Sequence, residues 1–359
     1  MNNFVLFIHF NRTSSLFENS IWRISRYAKR FSEFQSETNN QCFYILNFPV
    51  SHEVSGLQNN NPIVIHPKSK LGLIGFIFFV KNFLKKNRRD IKILVSTDPY
   101  ITTLIAILLT HILRLPAKVH FSVHGHYKDL TNGNLFKRQL KTILLRHSFR
   151  KADKVRMASP QLIFEYQTFF PDQISKMFVS SIPLGLERMS SSRQKRDIDV
   201  VSVGRWHPER GIKQLIEICC ELNSSPSISK ILIAGVPNKE SFVRRSQSPL
   251  ENKFMVEKFV PQPEVFNYLR RSKILLSCAP EESYGAALRE ALGAGCRVVA
   301  RENTGTRMLK NDHQSHVFLY ETTTEAVGLI ARLIATDSFS DKSNEKFIKR
   351  QNLLDEKQI

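Results

Sequence analysis

Short apolar runs alternate with amphipathic runs along most of this 359-residue chain, and the alternation limits the folds that it can adopt. Runs such as FVLFIHF (4–10) and KILLSCA (273–279) have the length and composition of buried strands, whereas GIKQLIEICCEL (211–222) has helical spacing. Regular alternation of strands and helices produces parallel sheets that are covered by helices. We therefore expect an α/β protein, and its length suits two domains with substantial cores.

The most polar break in the alternation predicts the domain boundary. Residues 189–197 contain turn-forming serines and basic residues without an apolar period, and the strand–helix pattern resumes after them. We expect an N-terminal domain over residues 1–188, this linker, and a C-terminal domain over residues 198–336. The charged tail, residues 337–359, is weakly patterned and is left outside both domains, with a return to the N-terminal domain as one option.

Charge and cysteine content indicate the partners and the compartment. A formal net charge of +20 favours an acidic partner, which leaves nucleic acid, a phosphorylated ligand and an anionic lipid surface as options. Five scattered cysteines without a C-x-x-C pair are typical of reduced, buried thiols in a cytosolic protein. The apolar block 71–80 is about half as long as a bilayer span, so no transmembrane helix is expected.

The turn GRWHPERG (204–211) lies between a predicted strand and a predicted helix. Ligands of parallel α/β sheets bind at the carboxyl ends of strands, near helix N-termini. In this turn Gly204 and Gly211 flank Arg205 and Arg210, so guanidinium and backbone N–H groups can face a phosphate. The alternative is a plain turn with solvated arginines.

A second candidate segment is PEESYGAALREALGAGCRVVA (280–300). Glu282 lies at the predicted carboxyl end of a strand, and Glu290 lies roughly 9 Å along the helix that follows. The helical neighbours of Glu290 are all alanine or glycine, which leaves room for an extended ligand with a hydroxyl-bearing group at each end, such as a nucleotide-sugar. The alternative is an alanine face that packs on another helix. The N–H groups that open the predicted helix belong to Tyr284, Gly285 and Ala286, and Gly285 is expected to let a ligand approach the backbone closely.

Taken together, these segments resemble a known enzyme family. E-S-Y-G-A-A-L-R-E resembles the E-x7-E signature of family 4 (group 1) retaining glycosyltransferases, and G-R-W-H-P-E-R-G resembles their G-R-x-x-x-x-K-G turn. The strand and glycine turn KILIAGVPN (230–238) follow in the family's order. The resemblance is strong over residues 199–301 and weaker before them. It implies a divergent member with the GT-B fold, in which two Rossmann-like domains with parallel sheets face each other across a cleft.

The resemblance also implies a role for each matching residue. Arg205 and Arg210 match the cations that neutralise the donor diphosphate, Glu282 the acid at the donor sugar, and Glu290 the acid on the ribose hydroxyls. His124 matches a histidine of the N-terminal domain that faces the donor sugar, with a structural turn histidine as the alternative. No cofactor or metal is implied, because the nucleotide-sugar is a substrate. The remaining matches on the donor side are Gly204, Tyr284, Gly285 and Ala286.

Three features depart from the family pattern. Arg210 replaces the usual lysine, and HFNRTSS (9–15) replaces a glycine-rich loop after the first strand. After the strand CRVVA the family often has Gly-Gly and a glutamate, whereas this chain has NTGTRMLK, with Arg307 near the expected acid. Asp197-Ile198-Asp199 spells the D-x-D metal motif of another glycosyltransferase fold, but it precedes a strand here, so we interpret it as a strand start.

Two basic amphipathic segments, residues 66–90 and 135–156, lie in the predicted acceptor domain. They suit an anionic membrane surface or an acceptor bound to one. The alternative is a pair of core-facing helices with solvated basic faces. In the second segment the predicted apolar face consists of Phe136, Leu140, Ile143 and Leu144, and the basic residues assigned to the surface are Lys137, Arg138, Lys141 and Arg146.

These observations predict a retaining glycosyltransferase that moves a sugar from a nucleotide-diphosphate-sugar to a hydroxyl acceptor. The expected acceptor is a lipid-linked saccharide in envelope polysaccharide, lipopolysaccharide or glycolipid synthesis. The expected location is cytoplasmic, peripheral on the inner face of the plasma membrane, and nucleic acid is not an expected partner. The alternative is a basic binding protein for nucleic acid or anionic lipid that keeps the fold without catalysis.

Overall fold

The computed structural model describes most of the chain as two units. The described residues are 3–10, 40–47, 63–131, 133–180, 182, 184, 195–237, 242, 253–258 and 260–336. The first unit ends at Pro183 and the second begins at Leu184. Most of the predicted linker and the whole predicted tail lie outside the described residues.

The N-terminal unit contains one parallel sheet with the strand order β3-β2-β1-β4-β5-β6-β7. Strand β1 pairs in parallel with β2 on one side and with β4 on the other. The strands are β1 (Asn3–His9), β2 (Asn40–Leu46), β3 (Ile63–Ile65), β4 (Ile91–Ser96), β5 (Lys118–Val123), β6 (Lys154–Met157) and β7 (Met177–Val179). The helices are α1 (Leu73–Lys86), α2 (Ile101–Ile112), α3 (Tyr127–Leu130), α4 (Leu135–Lys151) and α5 (Pro160–Gln167), followed by a 3-10 turn (Pro171–Lys176).

The C-terminal unit contains a second parallel sheet, with the strand order β10-β9-β8-β11-β12-β13. Its strands carry short runs of buried Val, Ile and Leu, as expected where helices cover both faces of a sheet. The strands are β8 (Ile198–Val203), β9 (Ile231–Ala234), β10 (Phe254–Glu257), β11 (Ser272–Ser277), β12 (Arg297–Arg301) and β13 (Val317–Tyr320). The helices are α6 (Ile212–Asn223), α7 (Gln262–Arg271), α8 (Ala286–Gly293), α9 (Thr304–Asp312) and α10 (Thr323–Ala335).

The sequence pattern does not predict α9 or β13. The sequence of α9, TGTRMLKND, is largely polar and buries only Thr306 and Leu309, so its apolar period is too weak to indicate a helix. A capping box starts this helix, because the Asn303 side chain accepts from the Thr306 backbone and the Thr306 side chain bonds back to the Asn303 backbone. Local hydrogen bonds therefore define this element more than burial does.

Three helices cover the same face of the N-terminal sheet. Leu94 of β4 pairs with Val119 of β5, and both lie in a buried cluster that also contains residues of α1 and α2. Phe121 lies two residues beyond Val119, hence on the same face, and meets Phe149 of α4 edge to face with ring centroids 5.1 Å apart. We refer to α1, α2 and α4 together as the three-helix layer. Every helix in the described part of the chain is too short or too polar to cross a bilayer.

The predicted apolar face of α4 is largely exposed, which is against the alternative of a core-facing helix. Phe136 is 74% exposed and Ile143 62%, and Leu140 is 46% exposed, while Leu144 is half-buried. The helix packs instead through its last turns, where Leu145, Ser148 and Phe149 are buried. Phe149 stacks on Phe170 with ring centroids 4.2 Å apart, so aromatic packing anchors one end of α4 and leaves the other end in solvent.

The aspartates of the D-x-D sequence hold the start of β8, as predicted. Arg271 Nε and Nη2 donate to the Asp197 carboxylate at 2.8 and 2.6 Å, and this bidentate bond keeps the pKa of Asp197 well below its usual range. Burial acts to raise the pKa of Asp199, but hydrogen bonds from Lys273 at 2.9 Å and from the Ser229 N–H at 2.7 Å outweigh it, so this pKa is also lowered. Both carboxylates are structural.

We predict that Asp199→Asn lowers the free energy of unfolding by about 1.5–3 kcal/mol at neutral pH, because hydrogen bonds to a buried charged carboxylate are lost. A lowered carboxyl pKa stabilises the fold above the unfolded-state pKa of about 3.9 and loses that effect as the pH falls through the folded-state pKa. The difference between mutant and wild type should therefore shrink below about pH 4. Denaturant titrations at neutral and acidic pH measure it, with the exposed Asp172→Asn as the control. A difference that is the same at both pH values would contradict the assignment.

Candidate functional site

A pocket opens at the carboxyl ends of β8 and β11, where α6 and α8 begin. Parallel α/β sheets bind ligands at this edge, because helix N-termini converge there with their N–H groups pointing outward. The polar and turn residues that line the pocket include Gly204, Arg205, Trp206, Arg210, Cys278 and Glu282. The two candidate segments of the sequence, the turn 204–211 and the segment 280–300, therefore meet in one pocket. In the sequence, 72 positions separate Arg210 from Glu282.

The turn from Gly204 to Gly211 is fixed by backbone contacts with neighbouring strands. Gly204 N–H donates to the Ala234 carbonyl at 3.2 Å, and Trp206 N–H donates to the Gly235 carbonyl at 3.2 Å. Gly211 adopts a left-handed conformation, φ 65° and ψ 39°, and a Cβ at this position would lie 1.8 Å from the Cys278 carbonyl oxygen. Only glycine fits both the conformation and the contact. The turn is therefore pressed onto the end of β11, and α6 starts directly after it.

An ion pair joins the turn 204–211 to the segment 280–300. Arg210 Nη1 lies 2.8 Å from Glu282 Oε1, and the side chains are 42% and 12% exposed respectively. Arg205 is exposed and lines the same pocket. Two guanidinium groups and one carboxylate leave this group of three side chains with a net positive charge, next to the positive ends of two helix dipoles. The pocket therefore suits a ligand that carries more than one negative charge.

The first turn of α9 packs against the backbone of the loop that contains Glu282. Asn303 Nδ2 donates to the Ala279 carbonyl at 3.2 Å, which ties the α9 N-terminus to the loop after β11. A Cβ at Gly305 would lie 1.9 Å from the Glu282 carbonyl oxygen, so the two backbones are in direct contact. This segment, NTGTR, belongs to one of the three features that depart from the family pattern. Sequence reasoning gave it no part in the site, and no local signal reveals the contact.

The loop before α8 is held by a residue that sequence reasoning missed. Arg289 Nε donates to the Tyr284 carbonyl at 3.1 Å, and its guanidinium carbon lies 4.8 Å from the centre of the Tyr284 ring. Gly285 is buried and left-handed (φ 68°), and it serves as the N-cap of α8. Gly285 thus makes a buried turn here, and its expected contact with a ligand stays a prediction. Tyr284, Gly285 and Ala286 are not among the described residues that line the pocket.

Glu290 lies in a buried position, whereas the small residues around it predicted an open face. Its residue surface is 6% exposed, because α7 packs against α8 at this point. Gln262, the first residue of α7, donates from Nε2 to Glu290 Oε1 at 3.2 Å. Glu290 is not among the described residues that line the pocket with Glu282. The small face around Glu290 packs against α7 in this structure, and the role of Glu290 as the acid on the ribose hydroxyls stays a prediction.

The remaining predicted site residues belong to the N-terminal unit. His124 follows β5 and is exposed. Lys137, Arg138 and Arg146 lie exposed on α4, and Lys141 on the same helix is half-buried. The predicted site residues are therefore divided between the two units.

Cys278 lines the pocket but is an unreactive thiol. Burial raises its pKa to about 12, so the thiol stays protonated at neutral pH and cannot act as a nucleophile. The five cysteines are free thiols, and all except Cys220 are buried. The chemistry of the pocket therefore depends on its arginines, its carboxylate and its helix N-termini.

The part of the chain that contains this pocket matches a known protein family. Residues 186–352 match the family described as Glycosyl transferases group 1. This part of the chain is similar to the group 1 glycosyltransferases. The match includes the turn, the Arg210–Glu282 pair, α8 and α9, so the family resemblance seen in the sequence is confirmed. No curated protein matches the sequence.

Solved structures identify the fold of the whole chain. Anabaena HepE (Alr3699), solved with UDP-glucose, has 15% identity and a TM-score of 0.65, with 98% of this chain and 99% of that chain covered. The pneumococcal O-GlcNAc transferase GtfA, solved with UDP and GlcNAc, has 11% identity and a TM-score of 0.63, with 99% of each chain covered. A putative UDP-N-acetylglucosamine 2-epimerase from Listeria monocytogenes has 14% identity and a TM-score of 0.62, with 97% of this chain and 91% of that chain covered.

These likenesses confirm the predicted fold class, GT-B, with two Rossmann-like units built on parallel sheets. Because a putative epimerase shares the fold with transferases, the fold alone does not determine the reaction of this protein. The reaction has to be argued from the side chains of the pocket.

We predict that Gly305→Ala lowers the free energy of unfolding by roughly 1–3 kcal/mol, because the added methyl group must displace the Glu282 backbone. Gly328→Ala is the matched control, since Gly328 lies in α10 and an added Cβ there would have no atom within 4 Å. The control should gain about 0.4–1 kcal/mol from its lower unfolded-state entropy. Denaturant titration of both variants measures the difference. Equal stability of the two variants would show that the α9 start does not support Glu282.

Proposed function

We propose that this protein is a retaining glycosyltransferase that moves a sugar from a nucleotide-diphosphate-sugar to a hydroxyl group of an acceptor. The observation that carries the proposal is the pocket at the carboxyl edge of the C-terminal sheet, where Arg205, Arg210 and Glu282 meet two helix N-termini. This pocket lies inside the part of the chain that matches the group 1 glycosyltransferases. The UDP-glucose bound to HepE and the UDP bound to GtfA support a nucleotide-sugar donor.

The charges of the pocket suit the departure of a nucleoside diphosphate. When the bond between sugar C1 and the diphosphate oxygen breaks, negative charge grows on the leaving phosphate. Arg205, Arg210 and the N-termini of α6 and α8 are placed to stabilise that charge. The Glu282 carboxylate keeps Arg210 in position and has a second oxygen with which to accept hydrogen bonds from sugar hydroxyls.

Retention of configuration follows if the acceptor attacks from the face that the diphosphate leaves. The acceptor hydroxyl then passes its proton to the departing phosphate oxygen, so the reaction needs no protein base. The bond from C1 to the acceptor oxygen replaces the bond from C1 to the phosphate oxygen on the same side. The resemblance also makes His124 a proposed contact of the donor sugar.

Glu290 is proposed to accept hydrogen bonds from the ribose hydroxyls of the donor. Gln262 Nε2 donates to one carboxylate oxygen, Oε1, and so fixes the orientation of the carboxyl group. A buried carboxylate with a fixed orientation favours ligands whose hydroxyl groups donate to it over analogues that lack those groups. Gln262 is then a positioning residue that acts through Glu290.

The acceptor is proposed to be a lipid-linked saccharide, and the pathway to be envelope polysaccharide, lipopolysaccharide or glycolipid synthesis. The support is the basic surface of α4, which carries Lys137, Arg138, Lys141 and Arg146. An acceptor held at an anionic leaflet would bring the protein to that surface without a membrane-spanning segment. The proposed location is therefore cytoplasmic and peripheral on the inner face of the plasma membrane.

A nucleotide-sugar screen by thermal unfolding tests the donor half of the proposal. A ligand at about 100 times its Kd stabilises the folded state by about 2.7 kcal/mol, so a true donor should raise Tm clearly. Turnover of that donor with a saccharide acceptor, followed by NMR of the anomeric centre, then tests retention. Product with the opposite anomeric configuration would overturn the retaining mechanism, and no response to any nucleotide-sugar would overturn the donor assignment.

We predict that Arg205→Ala and Arg210→Ala each lower kcat on the order of 100-fold or more, because each loses a group that stabilises charge in the transition state. Steady-state kinetics with the donor found in the screen measures the effect. Lys310→Ala is the control, since Lys310 is exposed on α9 and does not line the pocket with the described residues. If both arginine variants keep normal turnover, the diphosphate lies elsewhere.

We predict that Glu290→Gln weakens nucleoside diphosphate binding by about 1.5–3 kcal/mol and leaves binding of the 2′,3′-dideoxy analogue nearly unchanged, because only the ribose hydroxyls gain from the charge. Calorimetric titration with both nucleotides measures the two affinities. Glu264→Gln is the matched control, an exposed carboxylate on the first turn of α7. An equal loss of affinity for both nucleotides would remove Glu290 from the ribose site.

A further inference from the structure

Exposed apolar side chains are concentrated in one part of the protein. Of the described residues, every large hydrophobic side chain that is exposed belongs to the N-terminal unit. Their exposed fractions on the three-helix layer range from 40% at Leu73 to 74% at Phe136. Clustered exposure of this kind marks an interaction surface. Nine of these side chains lie on the layer: Leu73, Ile74, Phe78, Leu108, Ile112, Leu135, Phe136, Leu140 and Ile143.

The helices of the same layer carry positive charge only. Their sequences, LIGFIFFVKNFLKK, ITTLIAILLTHI and LFKRQLKTILLRHSFRK, contain nine lysines and arginines and neither aspartate nor glutamate. Three of the basic residues lie on α1 and six on α4. The layer therefore has no acid of its own with which to neutralise these cations.

The combination of cations and aliphatic side chains selects the kind of partner. Nucleic acid would meet the lysines and arginines, but Ile74, Leu108 and Ile143 would gain little from phosphates or base edges. A second copy of the same surface would bring like charges together. The interface of an anionic bilayer satisfies both features, since lipid phosphates meet the cations and the acyl boundary takes up the apolar side chains.

We infer that the outer face of the three-helix layer is a membrane-binding surface for anionic lipid. Ile74 and Phe78 of α1, with Ile143 of α4, enter the headgroup region of the leaflet. The basic residues of α4 meet lipid phosphates beside them. This inference deepens the proposed function, on which it rests for the lipid-linked acceptor, and it assigns the contact to three helices and to apolar insertion as well as charge.

The experiment is co-sedimentation of the whole protein with vesicles of phosphatidylcholine alone or mixed with phosphatidylglycerol. We expect binding to the anionic vesicles, little binding to the neutral ones, and release near 1 M salt, where the Debye length is about 3 Å. The serine variant combines Ile74→Ser, Phe78→Ser and Ile143→Ser. The glutamine variant combines Lys137→Gln, Arg138→Gln, Lys141→Gln and Arg146→Gln. Each should reduce binding at least about tenfold.

Matched controls separate the surface from total charge and total apolar content. Phe178→Ser removes an exposed apolar side chain on β7, outside the layer. A four-charge control removes exposed basic residues of the C-terminal unit through Lys195→Gln, Lys258→Gln, Lys310→Gln and Arg332→Gln. Both controls should bind as wild type does. Thermal unfolding of each variant confirms that the fold is intact.

Several outcomes would overturn the inference. Wild-type protein that ignores anionic vesicles, or a serine variant that binds them unchanged, would exclude apolar insertion. Binding to a DNA oligonucleotide that the glutamine variant loses and the serine variant keeps, without vesicle binding, would assign the surface to a polyanion. The nucleotide-sugar response is read separately: a protein that responds to the donor but ignores vesicles overturns this surface alone, and the reverse result overturns the transferase proposal alone.

Discussion

The candidate site depends on two places where backbone meets backbone with no room for a side chain. Gly211 lies against the Cys278 carbonyl, and Gly305 lies against the Glu282 carbonyl, with hypothetical Cβ contacts of 1.8 and 1.9 Å. The first contact presses the turn onto the end of β11, and the second presses the start of α9 onto the loop after β11. Both contacts hold backbone at the carboxyl edge of the C-terminal sheet. One contact is made by the turn 204–211 and the other by the start of α9. The 2.8 Å contact between Arg210 and Glu282 is possible because these backbones are held.

That ion pair has a consequence for ligand binding. An arginine that is already oriented by a carboxylate loses less side-chain freedom when an anion arrives, so part of the ordering cost is met in the folded protein. The partner carboxylate is only 12% exposed and belongs to the loop that precedes α8. The pocket is therefore arranged before any ligand binds, which is the condition under which fixed charges contribute most to a transition state.

Sequence reasoning located the charged residues of the pocket better than it located the residues that pack around them. Strand ends and turn residues located Arg205, Arg210 and Glu282 at one sheet edge, because parallel strands share a direction and their carboxyl ends coincide. Helical spacing around Glu290 showed which residues share a face, but it could not show that α7 covers that face and that Gln262 bonds to Glu290. The support from Gly305 was missed for the same reason, since a contact between distant backbones leaves no periodic signal. On α4, spacing identified an apolar stripe but left open whether the stripe faces the core or solvent, and the structure exposes most of it.

The net charge of +20 does not show how the charged residues are distributed over the protein. In the C-terminal unit, Arg271 and Lys230 are paired with Asp197, Lys273 with Asp199, Arg307 with Glu302, and Arg210 with Glu282. These cations serve the local fold or the pocket, and their fields are largely cancelled at a distance by their partners. The three-helix layer has nine cations and no acid on its own helices. No acid on these helices offsets the charge, so the field of the layer extends about a Debye length, ~8 Å at physiological salt, into solvent. An anionic surface that approaches this layer is attracted to it, so the layer contributes to the orientation of the encounter.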